Sequence, residues 1–132
     1  MNFDAIFYPK SIAVIGASSR EKTVGNDVVK NLVRQGYTGK IYPINPKIEE
    51  LYGLKVFETV EQIEDTVELL VLAIPAKFVA EEIKKASKKG AKAAIVISAG
   101  FKEAGNLDLE KELAHVCNDL NITLVGPNCL GA

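Results

Sequence analysis

Ser11-Ile12-Ala13-Val14-Ile15-Gly16-Ala17-Ser18-Ser19-Arg20-Glu21-Lys22-Thr23-Val24-Gly25 is the stretch whose reading decides the fold. Residues 11–16 are a short apolar run, preceded by Pro9 and ended by glycine, and read as a strand buried on both faces. From Val24 the apolar positions change period. Val24, Val28, Val29, Leu32 and Val33 recur at helical spacing, with Asn26, Asp27, Lys30, Asn31 and Arg34 between them, so an amphipathic helix follows the loop. Thr23 stands where an N-cap belongs, and Gly36 where a helix commonly turns left-handed to end.

Working outward, the same alternation continues. Residues 40–45 form a second strand, in which Pro43 must take a non-pairing position or lie near the end. Residues 55–57 are a short extended piece, and Thr59 with Gln62 has capping-box spacing for a brief helix. Residues 68–74 are a third strand. Residues 77–89 are a helix with Phe78, Val79, Ile83 and Ala86 as its apolar positions and Glu81 set four residues before Lys85; Gly90 ends it. Residues 92–98 are a fourth strand, 107–120 a helix with Leu109, Leu113 and Val116 inward, and 122–125 a fifth strand. Strands this apolar, alternating with helices, imply an α/β fold: a Rossmann-like doubly wound sheet of about five parallel strands with helices on both faces.

Composition narrows the function classes. The 132 residues fit one ordinary domain and leave little room for a separate catalytic lobe. Sixteen basic against seventeen acidic residues give a net charge of -1, so no global field draws the chain to nucleic acid or to a membrane surface. An anionic ligand must be caught locally. The apolar runs 69–76 and 93–97 fall far short of the ~20 residues of a membrane span. Residues 1–10 lack the basic start, apolar core and cleavage site of a secretory signal, and the expected compartment is the cytoplasm. Cys117 and Cys129 form neither a disulfide framework nor a metal motif, and reduced thiols are expected.

In an open parallel sheet the ligand crevice lies beyond the carboxyl ends of the strands, so the loops there carry the chemistry. The loop from Gly16 leads to a helix N-terminus, whose free N–H groups suit a phosphate. It departs from G-x-G-x-x-G by placing Ser18 and Glu21 at the second and third glycine positions, and phosphate binding and a plain tight turn are both open readings of it. The next loop, Asn45-Pro46-Lys47, discriminates better. An NAD site places an acid about 20 residues past the glycines, for the ribose hydroxyls. Lys47 cannot accept those bonds, but it can pair with a ribose phosphate, as in NADP or the 3′-phosphate of coenzyme A. Ile74-Pro75-Ala76 offers only an apolar ledge or a turn. Residues 98–105 offer backbone donors, one hydroxyl and two glycines, with Glu103 as a solvated acid. In the last loop Asn128 can bond a ligand or close an Asx-turn. Cys129 reads as a small buried thiol, because the one histidine, His115, lies within the last helix and makes no evident pair with it. No catalytic or metal-ligating residue is assigned.

Taken together, Phe7-Tyr8-Pro9-Lys10 and the strand after it, Val24-Gly25, Asn45-Pro46-Lys47, Ser98-Ala99-Gly100-Phe101 and Gly126-Pro127-Asn128-Cys129-Leu130-Gly131 resemble the N-terminal CoA-binding domain of NDP-forming acyl-CoA synthetases. That group includes the archaeal ADP-forming acetyl-CoA synthetases and, more distantly, the succinyl-CoA synthetase alpha subunit. The resemblance implies that Gly16, Ala17 and Ser18 meet the phosphates of coenzyme A and Lys47 its 3′-phosphate region. It implies that Ile74, Pro75, Ser98, Ala99 and Gly100 meet the nucleotide and pantetheine, with Ser19, Arg20, Val24, Gly25, Asn45 and Asn128 among the contacts. Ser98-Ala99 stands where the succinyl-CoA branch has Thr-Glu, which sets the chain nearer the acyl-CoA synthetases. In such enzymes a phosphohistidine lies in a later domain, and His115 does not match it. The expected role is therefore one domain, 1–132, of a larger multidomain ligase. Such a module binds coenzyme A or acyl-CoA and works with downstream ligase domains or a partner subunit. The alternatives are an NADP(H)-binding domain and a standalone CoA sensor.

Overall fold

The computed structural model describes residues 3–97 and 107–126. The chain runs α1 (Phe3–Phe7), β1 (Ser11–Ile15), α2 (Val24–Arg34), β2 (Lys40–Ile44), β3 (Glu50–Leu51), β4 (Leu54–Lys55), a 3-10 turn (Val60–Gln62), β5 (Leu69–Leu72), α3 (Ala76–Ser87), β6 (Ala93–Val96), α4 (Leu107–Asp119) and β7 (Thr123–Val125). All five anticipated strands form. They make one parallel sheet in the order β2-β1-β5-β6-β7.

Alternate residues of the strands feed two cores. Ala13, Ile15, Leu70, Leu72, Ala94 and Val96 pack with Val79 and Ile83 of α3 and Leu113 and Val116 of α4. Ile12, Val14, Leu69, Val71 and Ala93 pack on the other face with Val29 of α2, Ala5 of α1 and Leu51 beside the β3–β4 turn. Every residue of β1 is buried, because β1 has a strand on each side and helices above and below. Pro43 is tolerated because β2 is the outermost strand of the sheet; its carbonyl accepts the Phe57 N–H at 2.9 Å.

Thr23 caps α2, its hydroxyl accepting the Asn26 N–H at 3.3 Å. At the other end Gly36 (φ 73°) closes a Schellman turn, in which Tyr37 N–H bonds Leu32 C=O at 3.1 Å and Gly36 N–H bonds Val33 C=O at 3.2 Å. Gly90 (φ 87°) likewise follows α3.

Several local expectations are corrected. Val24 and Val33 are 44% and 39% exposed, and α2 instead buries Gly25, Asn26 and Val29, because a small face is needed where the helix presses on the loop after β1. Phe78 is 50% exposed rather than inward, since Ala76, Val79 and Ile83 already fill the face of α3 against the sheet. Lys85 pairs with Glu82 at 3.2 Å, three residues back, and not with Glu81. Thr59 makes no side-chain cap, and Gln62 Oε1 accepts the N–H of Glu58, one residue before the cap, at 2.9 Å, so the capping box does not form. Two elements were not anticipated: α1, too short to display a helical period, and the β3–β4 hairpin. The hairpin turns on Tyr52 (φ 50°) and Gly53 (φ 81°), a two-residue turn with both central residues left-handed.

One surface cluster ties β2 to the loop before β5. Asp65 Oδ2 accepts Lys40 Nζ at 2.9 Å and the Tyr42 hydroxyl at 2.8 Å. Those two hydrogen bonds hold the Asp65 carboxyl below its ordinary value of 3.8, while burial and then Asp65 push Tyr42 up to about 12. A carboxyl depressed in the folded state contributes stability above its unfolded pKa and loses it as pH falls through the folded one; a raised tyrosine contributes below pH 10 and loses that as pH rises toward about 12. Asp65→Asn is therefore expected to flatten the acid limb of a stability–pH curve below pH 4, a small effect at an exposed pair, read by urea midpoints from pH 2 to 7.

Candidate functional site

β1 leads through α2 to β2 on one side, and β5 leads through α3 to β6 on the other, so strand order reverses between β1 and β5. That is the switch point at which doubly wound sheets bind ligands. A cleft of about 540 Å³ opens there, above the carboxyl ends of β2, β1 and β5. The loop after β1 contributes Gly16, Ala17 and Ser18, and the loop after β2 contributes Asn45, Pro46 and Lys47. Ile74 and Phe78 line it from the side of β5 and α3, and Glu58, Thr59 and Glu82 complete it. A larger hollow of about 1120 Å³ lies toward the amino ends of the strands, beside Lys10, Ser11, Lys40 and Glu68. It is away from the switch point, and its size reflects the gap between α1, α2 and the sheet.

The first loop is locked by two side-chain amides. Asn26, fully buried on α2, donates from Nδ2 to the Ser18 carbonyl at 2.8 Å and accepts the Tyr52 hydroxyl on Oδ1 at 2.9 Å. Asn45 donates from Nδ2 to the Ala17 carbonyl at 2.7 Å and accepts the Lys47 N–H on Oδ1 at 2.7 Å, an Asx-turn that fixes where Lys47 begins. Each carbonyl can only accept and the Lys47 N–H can only donate, so both amide orientations are determined by their partners. With the two carbonyls engaged, the N–H groups of Ala17, Ser18 and Ser19 have no acceptor among the described residues. Successive free N–H groups beside a glycine turn suit an anion.

Glycine is required twice. At Gly16 (φ 95°) a Cβ would lie 2.3 Å from the Ala73 carbonyl oxygen, and at Gly25 one would lie 1.9 Å from the Gly16 carbonyl oxygen. Strand, loop and helix are thus in backbone contact. Lys22 (φ 68°) turns the chain back so that Thr23 reaches its capping position, where its hydroxyl also donates to Arg20 C=O at 2.7 Å.

Of the residues singled out from sequence, Gly16, Ala17, Ser18, Asn45, Lys47 and Ile74 meet around this cleft. Ser19, Arg20, Val24, Gly25 and Pro75 do not line it. Gly25 instead supports Gly16, Val24 points to solvent, and the Arg20 N–H bonds Ser18 Oγ at 3.0 Å. The loop after β1 lines the cleft, and residues 19–23 stand between it and the first turn of α2. Ser98, Ala99, Gly100, Asn128 and Cys129 lie outside the described residues. Asn26, Thr59, Phe78 and Glu82 were missed. Asn26 had a signal, a small amide one residue after Gly25 on an otherwise apolar stripe.

His115 is exposed on α4, with Nε2 3.2 Å from Asp119 Oδ2. Cys117 is a buried free thiol whose pKa burial pushes up to about 11. Among the described residues no helix is long and apolar enough to cross a membrane.

The cleft has the size, the free amides and the cation that a phosphorylated nucleotide needs. Residues 10–132 match the family described as CoA binding domain. The chain is 45% identical to the ADP-forming acetate–CoA ligase of Methanocaldococcus jannaschii over 96% of its own length. It is 42% identical to a trans-feruloyl-CoA synthase of an unknown prokaryotic organism over 97%. It spans only 18% of the length of each of those relatives. A solved structure titled as the dinucleotide forming acetyl-coenzyme A synthetase 1 of Ca. Korarchaeum cryptofilum, in complex with phosphate and ADP, superposes with a TM-score of 0.90 at 39% identity. That superposition covers 96% of this chain and 27% of the other. These likenesses do not favour the NADP(H) reading or a standalone sensor. The chain belongs to the CoA binding domain family, and coenzyme A is its ligand.

Proposed function

We propose that this chain is the coenzyme A-holding domain of an ADP-forming acyl-CoA synthetase, gripping the nucleotide while ligation proceeds on domains or a partner subunit that these residues do not include. The observation that carries the reading is the meeting of Lys47 and the Gly16–Ser18 loop in one cleft at the switch point. The free amides of Ala17 and Ser18 take the diphosphate, and Lys47 takes the 3′-phosphate. Ser98, Ala99 and Gly100 belong to the same reading as contacts of the nucleotide and pantetheine, and Asn128 as a further contact of the ligand. The relatives named above act on different acids at similar identity, which supports placing the choice of acid elsewhere than in this domain. The working compartment is the cytoplasm.

Titration calorimetry with coenzyme A and 3′-dephospho-coenzyme A tests the grip. Loss of one charge-assisted phosphate contact corresponds to roughly 10- to 150-fold in affinity. Lys47→Ala is expected to weaken coenzyme A by about that factor and to leave the dephospho form within about twofold. Equal loss for both ligands, or no loss for either, removes Lys47 from the 3′-phosphate.

A further inference from the structure

We infer that Phe78, with Glu82 one turn behind it on α3, seats the adenine base of coenzyme A and sets the preference for that base; the inference rests on the proposed placement of the nucleotide in this cleft. Phe78 is a large apolar side chain left 50% exposed, and it lines the cleft beside Ile74. Nothing in the packing of α3 requires it there, because Val79 and Ile83 carry the contact with the sheet. A phenyl ring standing at a nucleotide cleft is a stacking surface for a base. Its π-face already attracts a cation, Lys77 Nζ at 5.1 Å from the centroid, and an ammonium on one face leaves the opposite face for a base.

The charges fix which end of the ligand lies here. Lys47 and the free amides of the Gly16–Ser18 loop attract phosphate, whereas Glu58 and Glu82 repel it. The phosphates therefore gather at the loop, and the uncharged base turns toward Phe78. Residues 78 and 82 are four apart and share one helix face. Glu82 Oε2 is held by Lys85 at 3.2 Å, while Oε1 accepts nothing from the described residues. A carboxylate oxygen favours the 6-amino donor of adenine over the 6-oxo acceptor of hypoxanthine or guanine.

The test uses the 132-residue chain with coenzyme A and with its deaminated, hypoxanthine-bearing analogue. Phe78→Ala is expected to weaken coenzyme A roughly 5- to 150-fold without moving the thermal midpoint, the range for loss of one base–aromatic stack. Phe78→Trp is expected to retain affinity, with indole fluorescence quenched at the same ligand concentration that saturates calorimetry. The parent is expected to prefer coenzyme A to the analogue at least about fivefold, and Glu82→Gln to reduce that preference to within about twofold. Coenzyme A affinity unchanged in Phe78→Ala, or indole emission indifferent to saturating ligand, overturns the stacking role. Equal binding of the two ligands by the parent overturns the role of Glu82. Lys47→Ala separates these failures from that of the underlying reading: if Lys47→Ala loses the 3′-phosphate contact as expected while Phe78→Ala binds normally, only the base seat is wrong.

Discussion

Gly25→Ala is expected to abolish coenzyme A binding and to cost about 3 kcal/mol of stability, the upper part of the usual range for overpacking. The added Cβ would lie 1.9 Å from the Gly16 carbonyl oxygen and 2.9 Å from its carbon. Both are backbone atoms, so no side chain can swing aside. Gly16 cannot retreat either: its own Cα faces Ala73, where even a methyl would meet the carbonyl oxygen at 2.3 Å, and its N–H bonds Ile44 C=O at 3.2 Å. The helix must lift or the loop must rearrange, and either movement disperses the free amides that face the cleft. Urea midpoints and calorimetry with coenzyme A read the two losses. A variant that binds within a few-fold of the parent would mean that the contact relaxes and that the loop's shape is not what holds the phosphates.

The second large effect is expected at Asn26. Asn26→Leu keeps nearly the same volume but leaves the Ser18 carbonyl and the Tyr52 hydroxyl without the partners they have at 2.8 and 2.9 Å. This strands two polar groups that are only partly buried, Ser18 at a half-buried position and Tyr52 40% exposed, so the cost is roughly 1–3 kcal/mol. Removing one of them, in Asn26→Leu with Tyr52→Phe, is expected to restore about 1 kcal/mol relative to Asn26→Leu alone. Tyr52→Phe by itself leaves the Asn26–Ser18 bond in place and should reduce binding little, whereas Asn26→Leu frees the Ser18 peptide to rotate and should weaken coenzyme A strongly. A four-member cycle in urea, with calorimetry on each protein, measures both. Equal binding by the parent and Asn26→Leu would show that the loop holds its form without the amide.

The sheet was legible because its signal is local and redundant. Five apolar runs, each set off by glycine, proline or polar residues and with helical spacing in three of the four intervals between them, fit a parallel sheet with covered faces, and β1 is buried at every residue accordingly. Helix ends at Thr23, Gly36 and Gly90 were legible for the same reason, since a cap depends on the few residues around it. The five-residue helix α1 and the two-residue strands of the β3–β4 hairpin were not. Neither α1 nor the β3–β4 hairpin is long enough to display a period, although Gly53 between flanking leucines marked the turn.

The sequence by itself determined the five-strand alternation, the glycine after β1 and a lysine where a dinucleotide site would carry an acid. Tertiary structure alone decided which of those residues face one another. It brought Lys47 and Gly16–Ser18 to one cleft, packed Gly25 against the Gly16 carbonyl, left Val24 and Phe78 half-exposed and set Asn26 and Tyr52 behind the loop. The division has a physical cause. Backbone conformation follows from neighbours a few positions away, whereas the loop's carbonyls are satisfied by amides 8 and 28 residues distant in sequence, which no local period records.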